Sequence, residues 1–156
     1  MLASNLDKNK YKNICIIDAN AKLAPKIKVS GGAKCNITNE LVTCKNYLGD
    51  TQFVKELLEK FSKDDLLAFL NKNGVFPKIN PKIVKGTYFC NSSQDVIDMF
   101  TKLTTHVKKY LNTTVLDIEF NKHYKIKTDT KLIEAKKVVV ASGGLSYAML
   151  GASGIG

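Results

Sequence analysis

A chain of 156 residues with 44% hydrophobic content can bury the core of one globular domain and is short for two. No stretch approaches the roughly 18 uninterrupted apolar residues of a membrane helix. Nothing at the N-terminus has the basic, apolar and small-residue order of a secretory signal, so the cytoplasm is the expected location. The net charge of +10 raises nucleic acid as a partner, but all 24 basic residues are dispersed lysines. Without arginine, the side chain that grips phosphate and guanine with two prongs, a dedicated nucleic-acid binder is not expected.

In chain order, residues 1–6 read as the end of a helix, followed by a polar Lys/Asn loop. Residues 13–18, NICIID, form a β-branched apolar run that predicts a strand buried on both faces, with Cys15 inside it. Residues 19–40 show little periodicity and are dense in small and polar types, so they read as an organised loop in which Gly31 and Gly32 permit close backbone approach. The four cysteines, Cys15, Cys35, Cys44 and Cys90, form no CxxC pair, and no Cys/His set has zinc-ligand spacing. Four free thiols and no metal are expected. The Asn-x-Ser/Thr sequons at Asn36, Asn91 and Asn112 read as chance matches.

Residues 51–73 predict two helices. Phe53, Leu57, Leu58 and Phe61 recur at helical spacing, then Leu66, Leu67, Phe69 and Leu70, as core or interface residues. Ser62 and Asp65 form a capping box that opens the second helix, and Gly74 ends it. Pro77 and Pro81 bracket an irregular stretch before an extended run at residues 86–90. Ser92 or Ser93 caps a further helix, whose stripe of Val96, Ile97, Phe100, Leu103, Val107 and Leu111 carries it to residue 111. His106 on that helix and His123 on a later strand lack ligand or triad spacing and read as surface residues.

The last third is β-rich. Residues 114–119 predict a strand, and residues 123–128 and 131–135 a hairpin about Asp129-Thr130. Residues 138–141 predict a short apolar strand running into Ser142-Gly143-Gly144. A start within a helix and a glycine-rich end, GASGIG, lead us to expect a chain incomplete at both ends.

Two features could hold a ligand. In doubly wound dinucleotide folds the second strand ends in an acid that accepts from the ribose hydroxyls, and Asp18 stands in that position. An acid after an apolar strand is nevertheless common in α/β proteins. The small residues at Ser142–Gly144 would let a ligand lie against backbone amides, or make an ordinary tight turn.

Together with the segment KIKVSGGAKCNITN, these features resemble the BaiN/YhiN-type (aminoacetone-oxidase-like) family of NAD(P)/FAD-dependent oxidoreductases. The family pattern K-x-G-K-K-x-x-x-S-G-G-G-R-C-N-x-T-N is met by Lys22 to Lys26 and Ser30 to Asn39. Its G-R-x-F-P segment is met by Gly86 to Cys90, and its A-T-G-G-x-S-Y-P and G-x-T-G motifs by Ala141 to Tyr147 and Gly151 to Gly154. The resemblance implies an α/β fold: a partial FAD/NAD(P)-binding Rossmann-like domain, with a parallel sheet, helices and a small β-meander. It would be a single domain over residues 1–156 with a helical insertion at about 50–111. It also implies FAD as cofactor, with NAD(P)H as electron partner. Asp18 would hold the ribose. Lys26 and Ser30, Gly31, Gly32, Asn36, Thr38 and Asn39 would line the flavin side. Val115 would meet the adenine through its backbone, and Ala141, Ser142, Gly143 and Gly144 would pack near the pyrophosphate and ribityl chain.

The departures are specific. No GxGxxG turn occurs in the chain, so from the resemblance we expect that the amides that normally clamp the pyrophosphate, and the family's first strand, are not among these residues. The family's third glycine is Ala33, its two arginines are Lys34 and Thr87, and its proline is Cys90. No acid or base stands out as catalytic, and the small-molecule substrate is unspecified. The expected protein is thus a fragment of an FAD-dependent oxidoreductase, weak or inactive alone. The alternatives are a non-enzymatic remnant that self-associates through an exposed sheet edge, and a basic nucleic-acid binder.

Overall fold

The computed structural model describes residues 1–80 and 85–143. They fall into two compact units, residues 1–26 with 103–143, and residues 27–80 with 85–102. The second unit runs from Ile27 to Lys102.

In the first unit a short helix α1 (Leu2–Asn5) precedes strand β1 (Cys15–Ile17). Strand β5 (Lys108–Tyr110) pairs with β1 in parallel, Ile16 opposite Lys109. The pairing runs past the strand ends, where the Asp18 N–H donates to the Tyr110 carbonyl at 2.9 Å. Parallel strands require a long crossover, and here the whole of residues 27–102 supplies it. β1 is less buried than its composition implies: Ile16 and Ile17 are half-buried and Cys15 is exposed. The reason is that β5 is its one strand partner among the described residues, whereas burial on both faces needs a sheet extended and covered on each side.

Strands β6 (Val115–Asn121), β7 (His123–Thr128) and β8 (Leu132–Ala135) form an antiparallel meander. Its register places Glu119 opposite Lys125 and Lys125 opposite Glu134, a ladder of alternating charge. Ile118, Ile126 and Ile133 form the matching apolar row. The β7–β8 turn is organised by the buried Thr128. Its hydroxyl donates to the Lys131 carbonyl at 2.8 Å and accepts from the Lys131 N–H at 2.9 Å.

In the second unit β2 (Asn36–Asn39), β4 (Thr87–Phe89) and β3 (Lys78–Ile79) form an antiparallel sheet in the order β2-β4-β3. Helices α3 (Thr51–Lys60), α4 (Lys63–Lys72) and α5 (Ser93–Leu103), the last up to Lys102, belong to the same unit. Its buried core is Cys35, Leu70, Val75, Phe89, Cys90, Val96 and Met99, and the Phe69 and Phe100 rings stack at 6.1 Å. The Ser62–Asp65 capping box forms as expected.

Several expectations are corrected. The stretch read as loop contains helix α2 (Pro25–Val29) and strand β2, because Pro25 suits a helix start and NITN finds a partner in β4. The helix expected to reach Leu111 stops at Leu103. Beyond a turn at residues 104–106 the chain becomes β5, since Val107 and Leu111 continue a helical stripe while the open edge of β1 captures the residues between them. Residues 138–141 form no strand, and Val139 and Val140 are exposed. The apolar residues Phe53, Leu57 and Phe61 of the α3 segment are exposed as well. His106 is half-buried, and both its ring nitrogens are buried with no hydrogen-bond partner among the described residues. Pro81 and residues 144–156, which include Gly144 and the motifs that follow it, lie outside the described residues.

Candidate functional site

Each unit contributes its own set of expected ligand-contacting residues. In the first, Asp18 follows β1 directly and is half-buried. Its Oδ1 accepts from the Asn20 N–H and from Asn20 Nδ2, both at 2.9 Å. The Thr113 N–H donates to the Asp18 carbonyl at 3.1 Å, and the Asn112 N–H to the Asn20 carbonyl at 3.1 Å. The carboxylate is therefore held at the strand end by an Asx turn. Its Oδ2 has no hydrogen-bond partner among the described residues and is available to accept from a ligand hydroxyl. Asn20 is a site residue that reading the sequence missed, although the Asp-x-Asn spacing was visible.

Lys26 and Gly143 are also brought together. Gly143 has φ +73°, and a Cβ there would stand 2.9 Å from Lys26 Nζ. A side chain at this position would thus meet both a left-handed backbone and the ammonium group. Ala141 and Gly143 are exposed, and Ser142 is half-buried. Val115 opens β6 opposite Thr128, next to a register shift that loosens the ladder before Asp117.

In the second unit, residues 30–36 make an unusual turn. Gly31, Gly32 and Ala33 are left-handed in succession, at φ +58°, +62° and +67°, and Cys35 follows at +55°. The turn is closed by the Cys35 N–H on the Ser30 carbonyl at 2.9 Å, with the Asn36 N–H reaching Ser30 Oγ at 3.4 Å. A Cβ on Gly31 would overlap the Asn36 side-chain oxygen, whereas one on Gly32 would meet open space. The Cys90 N–H donates to the Lys34 carbonyl at 2.9 Å and the Ser93 N–H to the Ala33 carbonyl at 2.7 Å, fixing the turn to β4 and to the start of α5. Successive backbone amides in such turns form concave anion-binding surfaces.

Thr38 and Asn39 lie on β2, and together with Leu41, Val42 and Tyr47 they line an open depression of about 590 Å³. The Asn39 side chain has a structural duty. Its Nδ2 donates to the Lys85 carbonyl at 3.3 Å and to Thr87 Oγ1 at 3.1 Å, and its Oδ1 accepts from the Leu41 N–H at 3.0 Å. Beneath the turn, burial pushes the Cys35 thiol up, and the Cys90 thiol is pushed up to about 11 by burial, then by Cys35 and Asp95. Both stay protonated at neutral pH.

A parallel β1–β5 pair with an acid at its carboxyl end, and glycine-dense left-handed turns, define an α/β domain of Rossmann type. The chain belongs to the family described as "HI0933-like protein Rossmann domain", which it matches over residues 1–156, the BaiN/YhiN-like FAD-dependent oxidoreductases. It is 31% identical over 161 residues to a ribosomal RNA dihydrouridine synthase of Escherichia coli, covering 100% of this chain and 40% of that protein. It is 29% identical to the enzyme of the same name from Haemophilus influenzae, covering 93% of this chain and 38% of the relative. It is 27% identical to a 3-dehydro-bile acid delta(4,6)-reductase of Clostridium scindens, covering 92% and 36% respectively. The chain thus spans about two fifths or less of the length of these curated relatives.

Proposed function

We propose that these residues are the dinucleotide-binding part of an FAD-dependent reductase of activated carbon–carbon double bonds. The observation that carries the reading is Asp18, locked at the carboxyl end of β1 with one carboxylate oxygen committed to Asn20 and the other open. That arrangement suits a ribose diol, which needs an acceptor held still before the ligand arrives. Lys26 Nζ, beside left-handed Gly143, would face an anionic part of the cofactor, and the absence of a side chain at Gly143 leaves the backbone approachable. The Ser30–Asn36 turn would offer amides to the flavin side, with Thr38 and Asn39 on the adjoining strand. Val115 would meet the adenine through its backbone, and Ala141 and Ser142 would flank the ribityl chain.

When bound, FAD supplies hydride chemistry at its isoalloxazine ring, drawing electrons from NAD(P)H. The chain's own part is to hold the ribose, neutralise negative charge at Lys26 and present amides. The names of the relatives support the substrate class: forming dihydrouridine and reducing a delta(4,6) steroid each add two hydrogens across a double bond. A cytoplasmic setting fits this chemistry. No helix among the described residues is long and apolar enough to cross a membrane.

The 156 residues contain no GxGxxG turn, so on their own they hold FAD weakly and do not catalyse turnover. Purifying the chain, desalting it and recording its visible spectrum tests this. We expect colourless protein that shows saturable flavin fluorescence changes only on titration. Yellow protein retaining one flavin per chain would overturn the statement that binding is weak.

A second reading takes RNA as the substrate. It is favoured by the net charge of +10 and by the two relatives named for ribosomal RNA, against the absence of arginine. Filter binding to structured RNA over a salt series separates it from a small-molecule enone. A steep loss of affinity with salt would support RNA, and no retention at low salt would exclude it.

A further inference from the structure

Cys35 and Cys90 lie at the same end of one antiparallel cross-strand pair. Asn36 on β2 is the partner of Phe89 on β4, so Cys35 precedes one member and Cys90 follows the other. The association continues beyond the ladder: the Cys90 N–H donates to the Lys34 carbonyl at 2.9 Å. Backbones paired in this way hold facing Cα atoms roughly 4.5–5.5 Å apart, against the roughly 4.4–6.8 Å span that a disulfide bridges, and Cys35 adjoins Lys34, the residue bonded to Cys90. Both residues are buried, at 5% and 4% exposure, and both are free thiols. The two other cysteines differ: Cys15 is exposed on β1, and Cys44 lies on a 3-10 turn at residues 44–46.

We propose that Cys35 and Cys90 are a cross-strand dithiol that a small peroxide closes to a disulfide, tying the left-handed turn at residues 30–36 to β4. The Cys35 thiolate attacks one peroxide oxygen, the O–O bond breaks, and hydroxide leaves with the displaced electron pair to give a sulfenic acid. The Cys90 thiolate then attacks that sulfur and displaces its hydroxyl as hydroxide. The two thiol protons and the two hydroxides become two waters, so two thiols are oxidised and one hydrogen peroxide is reduced. Cys35 is the first attacker because the Asp95 carboxylate raises the Cys90 thiol and is not among the causes that raise Cys35. Burial makes the first step slow at neutral pH and selects a small uncharged oxidant over a bulky disulfide. Once formed, the sulfenic acid has a thiol beside it, so closure outruns further oxidation.

The proposal stands apart from the flavin reading, since neither the step nor its test involves FAD. The test treats the intact chain with hydrogen peroxide, quenches it with a thiol-blocking reagent in denaturant, and maps the peptides by mass. The expected result is a monomer lighter by two hydrogens, with two of its four thiols lost and the Cys35 and Cys90 peptides joined. Cys15→Ser and Cys44→Ser should leave that product unchanged, while Cys35→Ser and Cys90→Ser should each abolish it. Wild-type mapping does not depend on those buried variants folding. A disulfide joining other cysteines, or sulfinic acid at Cys35 with Cys90 still free, would overturn the proposal. So would intact Cys35 and Cys90 thiols after Cys15 has been oxidised.

Discussion

Asn39 and Thr87 are joined across β2 and β4 by a side-chain hydrogen bond of 3.1 Å, Asn39 Nδ2 to Thr87 Oγ1. The same Asn39 amide reaches the Lys85 carbonyl, and Asn39 Oδ1 stands 3.0 Å from where a Cβ on Gly86 would be. One asparagine thus closes the Gly86 turn from the neighbouring strand. Asn39→Ala should cost about 1 kcal/mol of stability, chiefly through the half-buried bond to Thr87. Gly86→Ala should cost at least as much, since it combines φ +71° with that contact. Urea denaturation checks both, and losses that appear without any added flavin identify the role as structural.

Gly31 and Gly32 have nearly the same left-handed φ but different surroundings. Gly32→Ala bears only the conformational penalty, about 1 kcal/mol. Gly31→Ala adds displacement of the Asn36 side chain and should shift the denaturation midpoint clearly further. Equal shifts would mean that the turn relaxes freely around Asn36.

His106 has two buried ring nitrogens without partners. Replacing a buried unpaired polar group with an apolar one of similar size removes a desolvation cost. His106→Leu should therefore raise stability by about 1 kcal/mol, read as an increase in Tm. A fall would show that the imidazole makes an interaction the leucine cannot replace.

Asp65 is held below its ordinary value of 3.8 by its side-chain and backbone hydrogen bonds with Ser62. A depressed folded-state value means that this contribution is fully present above about 3.8 and is lost as pH falls through the lower folded value. Thermal melts on either side of that range should show the chain losing stability on acidification. Asp65→Asn should flatten part of that slope while leaving the neutral-pH melt only slightly lower.

What reading the sequence could reach depended on how local each signal was. The Ser62–Asp65 cap, the turn at residues 129–130 and the extended run of β4 rest on neighbours within a few residues, and all formed as expected. Asp18 was recognisable from the strand before it, but its clamp by Asn20 and by the 112–113 backbone depends on β5, which looked helical. Val107 and Leu111 keep helical spacing, and only pairing with a strand some ninety positions earlier turns the residues between them into β5. The apolar run at residues 138–141 met the opposite fate, forming no strand among the described residues. Asn39 was picked out by its motif, and only the structure shows its side chain engaged with Thr87 and Lys85.

We propose that Asp18 and the glycine turns engage FAD. Backbone amide NMR of the 156-residue chain during an FAD titration tests it most directly. Progressive, saturable shifts of the Asp18–Asn20, Gly31–Asn36 and Gly143 amides are expected, with the residue 129–130 turn unmoved. Asp18→Ala should remove the shifts at residues 18–20 while the spectrum elsewhere stays folded. Shifts absent from all three segments at saturating FAD, or unchanged by Asp18→Ala, would contradict it.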